Sequence, residues 1–161
     1  SGESLLINFD RVFERFVQKI LMEYSAMGKF SYWTNERGYA LFHGDNANVE
    51  RSYIPDLLYD YQEYIGKPTA HAILDMKNKQ WPPFHNPDVY QMAFYGQMLN
   101  CKKIILCYPC GEPIQTRTLS FYDEKFFLEK IYAAFIIITG NTAREFKENI
   151  NTFIKQVEFL L

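Results

Sequence analysis

The sequence predicts an α/β domain in which a mixed central β-sheet is flanked by helices. Helical hydrophobic spacing recurs at the start, middle and end of the chain, and between these stretches lie short aromatic and β-branched runs punctuated by Asn, Gly and Pro. The composition agrees: 161 residues, 48% hydrophobic, 17% aromatic and 22% charged, suit one packed core rather than disorder. Residues 1–161 therefore read as a single domain, with Ser1-Gly2 as a cloning remnant.

Phe9, Val12, Phe13, Phe16, Val17, Ile20, Leu21 and Tyr24 share one helical face behind a capping Asn8, predicting a helix over 9–25. Strands are predicted at 30–34, 39–43, 51–59 and 70–77. Asn86 as cap with Pro87 at the first helical position opens an amphipathic helix to about Leu99. Lys103–Tyr108 is a continuous apolar run closed by Pro109, expected as a strand buried on both faces beside 70–77. Further strands are predicted at 115–122 and 131–139, and Thr142 with Glu145 forms a capping box for a final helix to about Phe159.

No apolar stretch is long enough to cross a bilayer and no signal-peptide pattern is present, which points to the cytoplasm. Cys101, Cys107 and Cys110 cannot all pair, and they lack the fourth ligand of a zinc or iron–sulfur site, so reduced thiols are expected, with the apolar company of Cys101 and Cys107 suiting burial. The net charge of −2 does not favour a phosphate backbone, so a DNA ligand has to be argued from particular residues.

Those residues begin with Asp75 and Lys77. Strand alternation points both the same way, together with His71 and Ile73. Two charges at the end of so apolar a strand need compensation, and a cation plus a phosphate would provide it. Magnesium takes one or two protein carboxylates in an oxygen shell, a requirement met by Asp56 and Asp75, with the Met76 backbone carbonyl as a further oxygen. Lys77 then positions or deprotonates the attacking water and offsets charge on the phosphorane. Gln91 and Tyr95 stand at i and i+4 on the following helix and can orient these groups. Glu14, at the edge of the first helix's apolar stripe, is a weaker outer metal ligand or a solvated flank.

The ordered set Ile54-Pro55-Asp56, Leu74-Asp75-Met76-Lys77 and Tyr90-Gln91-x-x-x-Tyr95 resembles the PD-(D/E)xK nucleases, in the RecB-like group with a Q-x-x-x-Y motif. Together with Phe13-Glu14-x-Phe16-Val17 and Tyr108-Pro109, it resembles more closely the McrC family of McrBC modification-dependent restriction systems, over about residues 9–110. The resemblance implies the PD-(D/E)xK fold, magnesium-dependent (or manganese-dependent) double-strand DNA cleavage, and a hetero-oligomer with a GTP-driven AAA+ partner of the McrB type. The chain lacks a G-x-x-x-x-G-K-[ST] loop, so that motor would be another polypeptide, and the chain reads as the C-terminal domain of a longer protein. A RecB-like exonuclease or junction resolvase, or a catalytically silent interaction module, remain the alternatives.

Other residues invite bland readings beside sharp ones. His71 is either a metal ligand or base, or a satisfied histidine beneath the site, the last preferred. Trp81-Pro82-Pro83-Phe84 contacts DNA or a neighbouring subunit, or forms a rigid packed connection, the last preferred. Lys67, Lys79, Lys102 and Lys103 contact phosphates or are solvated surface. His43 and His85 have no evident partners.

Overall fold

The computed structural model describes residues 7–33, 40–43, 50–52 and 54–161. Helix α1 spans Phe9–Tyr24, and the Asn8 side chain accepts a hydrogen bond from the Arg11 N–H at 3.2 Å, as the capping pattern requires. The strands are β1 (Phe30–Ser31), β2 (Ala40–His43), β3 (Glu50–Ser52), β4 (Leu57–Tyr64), β5 (Lys67–Met76), β6 (Lys103–Cys110), β7 (Arg117–Ser120) and β8 (Lys130–Ile137). Helices α2 (Asn86–Met98) and α3 (Ala143–Leu160) complete the set.

Six strands form one mixed sheet in the order β1-β4-β5-β6-β8-β7, while β2 and β3 pair separately. Neighbours β5, β6 and β8 run parallel, and the outer pairings are antiparallel. The carboxyl ends of the three parallel strands therefore share one sheet edge. Their side chains alternate with period two. Ala72, Leu74, Met76, Ile105, Cys107, Ala134 and Ile136 pack with Phe13, Val17, Leu21, Phe153, Ile154 and Val157 of α1 and α3. Ile73, Ile104, Leu106, Tyr108, Ala133 and Phe135 pack with Met92 and Tyr95 of α2 and with Leu99 at its C-terminal cap. Strand β6 is thus buried on both faces beside β5, as its unbroken apolar run predicts.

Several boundaries differ from expectation. The predicted 51–59 strand is two strands in different ladders, because Pro55 has no N–H to offer a central ladder and the chain leaves strand conformation over 54–56. Strands β4 and β5 extend to a two-residue turn at Ile65-Gly66, with φ of 51° and 68°, the left-handed pair of a tight hairpin. Pro109 does not close β6, which pairs with β8 as far as Cys110. Asn86 is the first residue of α2 rather than its cap: His85 holds that position without a side-chain hydrogen bond.

The apolar face of α2 is only partly visible in its hydropathy, because Asp88 and Gly96 are buried while Tyr90 is exposed. Gly96 permits close approach, since a Cβ there would stand 2.9 Å from the Leu128 side chain and 3.0 Å from the Cys101 carbonyl. Helix α3 opens on Thr142, whose side chain accepts from the Glu145 N–H at 3.1 Å. Glu145 returns its carboxylate to the Asn141 N–H, one residue earlier than a standard capping box. Among the described residues no helix is long and apolar enough to cross a membrane.

Candidate active site

The site lies where β5 ends and β4 begins. Asp75, the penultimate residue of β5, is 3% exposed and projects to the α2 side of the sheet. Its Oδ2 has no aligned hydrogen-bond donor and is met by the Lys77 ammonium at 2.6 Å. Asp56 arrives from the segment ahead of β4, and its Oδ2 accepts from the Met76 N–H at 2.9 Å. Its backbone oxygen takes a 2.6 Å bond from Gln18 Nε2, which also reaches Glu14 Oε1 at 3.4 Å. The first helix is thereby tied to the acidic segment, and Glu14 faces Asp56.

Burial pushes the Asp56 carboxyl up to about 8, reinforced by the charges of Asp75 and Glu14 and opposed by the Met76 N–H and Lys77. Asp75 is also raised, by burial first, with Lys77 working against the shift. Both carboxyls therefore favour their neutral forms, chiefly because burial removes the water that would solvate the charge. Burial pulls Lys77 down, but Asp75, Asp88 and Asp56 outweigh it and leave the ammonium above its ordinary value.

Helix α2 holds the lysine from the other side. Lys77 Nζ donates to Gln91 Oε1 at 2.8 Å, Gln91 Nε2 donates to the Tyr95 hydroxyl at 3.2 Å, and that hydroxyl donates to the Ile54 carbonyl at 3.2 Å. This chain of bonds runs from the lysine back to the segment bearing Asp56. Burial first, then Asp75 and Asp56, raise the Tyr95 phenol to about 12, so it stays protonated as a donor.

Asp56, Asp75, Lys77, Gln91 and Tyr95 thus converge, with the Met76 backbone and Glu14 adjoining. An N–H and a C=O of one strand residue leave the same lateral edge, so the Met76 carbonyl is directed toward the Asp56 side, as its N–H is. Sequence reasoning missed Asp88 and assigned Lys79 no partner. Asp88, 5% exposed in the first turn of α2, lies 3.7 Å from Lys77 Nζ, and both its oxygens accept from Lys79 Nζ at 2.8 Å. An acid beside Pro87 at a helix start was the available signal.

Other candidates fall elsewhere. His71 does not share the Asp75 face: its ring meets Tyr59 and its Nε2 lies 2.9 Å from the Leu161 backbone oxygen, on the α1/α3 side. The ladder skips from Tyr59↔Ala72 to Tyr61↔Ala70 around Asp60 at φ 50°, which breaks the alternation there. Lys67 begins β5 at the hairpin, Lys102 pairs with Glu129 and Lys103 reaches Leu161, all away from the β5 terminus. The side chain of His43 lies outside the described residues. His85 precedes α2. Cys101 and Cys107 are buried thiols, and burial raises both, Cys101 to about 11.

Fold and site together define a nuclease-like α/β domain. A family profile described as the McrBC 5-methylcytosine restriction system component matches residues 1–109. The chain belongs to that family. Comparison with curated proteins gives no match. Among solved structures it is similar to a chain of the refined half-complex from the tetradecameric assembly of Thermococcus gammatolerans McrB AAA+ hexamers with bound McrC, at 16% identity and TM-score 0.66. The match covers 98% of this chain and 34% of that one, so this chain spans about a third of the solved chain's length. The shared fold extends past Pro109, where the sequence resemblance stops.

Proposed function

We propose that this chain is the DNA-cleaving part of a McrC-type subunit, an endonuclease that hydrolyses phosphodiester bonds with magnesium and works with a McrB-like AAA+ GTPase. The observation carrying this reading is the meeting of Asp75, near the end of β5, with Asp56, from the segment ahead of β4, at one buried point beside Lys77. The residues fit a divalent cation: Asp75 Oδ2 is buried without an aligned donor, and both carboxyls are held above their ordinary range by burial first, so a cation placed between them would favour their charged forms. Asp56 and Asp75 would hold it, with the Met76 carbonyl and Glu14 as further oxygens. When bound, the cation supplies Lewis acidity at the scissile phosphate and lowers the pKa of the attacking water.

The remaining roles belong to the chain itself. Lys77, held by Asp75 and Gln91, presents its ammonium as a positive charge toward the phosphate as negative charge develops. Gln91 fixes the ammonium, and Tyr95 ties Gln91 to the Ile54 carbonyl, so that lysine and acidic segment keep one spacing. Asp88 holds Lys79 beside this group. The partner reading rests on the restriction-system family and on the McrB–McrC assembly containing the similar chain.

The test is plasmid cleavage at fixed magnesium and salt, with and without the partner GTPase and GTP. Slow cutting by the chain alone, a sharp increase in the complex and loss of both in Asp75→Asn are expected. Cleavage equal in wild type and Asp75→Asn would remove the assignment.

A further inference from the structure

The active site occupies only one end of the sheet edge on which the parallel strands terminate. Beyond the end of β5, the edge continues over the ends of β6 and β8 as a groove of about 330 Å³ lined by Lys79, Trp81, Tyr108, Gly111 and Phe135 among others. Lys79 and Gly111 also line a depression of about 430 Å³ reaching Ile138 and Thr139. Trp81 joins the groove to one of about 450 Å³ that includes Thr116 and Arg117. Lys79, on the groove wall, bonds Asp88, itself 3.7 Å from Lys77, so the groove begins one ion pair away from the catalytic lysine. Open α/β sheets place their ligands outside the carboxyl ends of their strands, where this groove lies.

We propose that this groove is a track for the DNA strand flanking the scissile phosphate, with Arg117 contacting a phosphate and the Trp81 indole supporting a sugar or base. The proposal deepens the nuclease reading and rests on it. Trp81 is anchored through Phe135 at 5.9 Å, which stacks on Tyr108 at 5.7 Å, yet 52% of its surface is exposed. A tryptophan held by a buried stack and left half open is a pre-ordered platform, with little side-chain entropy left to lose on binding. The Arg117 guanidinium stands 5.2 Å from its ring centroid. Among the described residues no carboxylate pairs with Arg117.

An aromatic platform next to a cation fits the alternating bases and phosphates of a nucleic-acid strand better than an apolar peptide. Glu112 is the opposing charge on this wall, and Lys79 and Arg117 stand against it. In a chain of net charge −2, such local placement is what phosphate contact requires. Lys79 would exchange part of its bond with Asp88 for a strand phosphate.

The experiment uses the full chain with calcium in place of magnesium, at low salt, and a duplex carrying 5-iododeoxyuridine at successive positions around the cleavage point. Photo-cross-linking is expected to attach the label to Trp81 from a position within a few nucleotides of that point. By fluorescence anisotropy, Arg117→Glu should weaken binding roughly tenfold, and Arg117→Ala should weaken it about threefold and lower the salt slope by about one. Because Trp81 packs on Phe135, Trp81→Phe serves beside Trp81→Ala, and it should lose less affinity. Unchanged affinity in Arg117→Glu, or absence of any cross-link to Trp81, overturns the track. Asp75→Asn tests the nuclease reading separately: cleavage indifferent to it, with the Trp81 cross-link retained, would leave a DNA groove beside a site that does not cut.

Discussion

The two faces of the sheet use the same strands for opposite ends. On the α1/α3 face, Ala72, Leu74 and Met76 of β5 continue into an unbroken apolar layer with Val17, Leu21 and Phe153. On the α2 face, the intervening positions begin apolar at Ile73 and end in Asp75 and Lys77, whose company includes Asp88, Gln91 and Tyr95. One face spends its burial on stability, and the other buries charges that resist burial. The apolar layer holds the carboxylates where unaided electrostatics would not.

The largest expected effect breaks this contrast on the polar face. Lys77→Ala should lower magnesium-dependent cleavage by about 10²–10³-fold, since it removes charge stabilisation that matters most in the transition state. Its circular dichroism should match wild type, because Asp75 already tends toward its neutral form and can stay protonated without the lysine. A variant within a few-fold of wild type in cleavage would make Lys77 a bystander.

Leu74→Ala, one residue before Asp75, should do the reverse. Leu74 is fully buried, and truncating such a leucine costs about 2–5 kcal/mol through lost transfer energy and the cavity left behind. Denaturant unfolding should show the loss, while the folded fraction retains its metal affinity. A loss below about 1 kcal/mol would mean that the layer relaxes into the gap and is less rigid than its packing suggests.

An intermediate case lies on the bond chain between the faces of α2 and β4. Tyr95→Phe keeps the ring in its cluster but removes the hydroxyl, leaving the Ile54 carbonyl and Gln91 amide without their partner. A destabilisation of about 1–2 kcal/mol is expected, with cleavage down about tenfold as the Lys77 position loosens. Equal cleavage would show that Gln91 alone fixes the lysine.

These residues were legible because regular elements repeat. Period two placed Asp75 with Lys77, and period 3.6 placed Gln91 with Tyr95, so one strand and one helix sufficed. Asp56 was nominated as the second carboxylate of a magnesium shell, not by any period, since its own run was read as continuous strand through Pro55. Asp88 and Lys79 were hidden because their pairing depends on the path of residues 78–85, which has no period. His71 was misplaced for a related reason: alternation holds only while the ladder does, and it fails opposite Asp60. The Trp81 groove likewise joins loops after three strands, and no local spacing announces it.

The smallest effect sharpens the claim that the acidic pair resists burial in its charged form. The folded Asp56 carboxyl sits at about 8 against an ordinary value of 3.8. A carboxyl raised on folding binds its proton more tightly in the native state, so its contribution to stability is full below about pH 4 and is lost as pH rises through about 8. Asp75 shifts in the same direction, and the two titrate as a pair. In metal-free buffer, the thermal midpoint of wild type relative to Asp56→Asn should therefore fall between pH 5 and pH 8, a difference in which most other titrating groups cancel. Magnesium should restore it most at the alkaline end, because the cation competes with the proton for the same oxygens and binds only the folded arrangement. A wild-type midpoint that rose with pH relative to Asp56→Asn would mean that the pair is ionised and already neutralised by Lys77. The positive charge supplied by the chain would then be sufficient, and the argument for a cation at these carboxylates would fail.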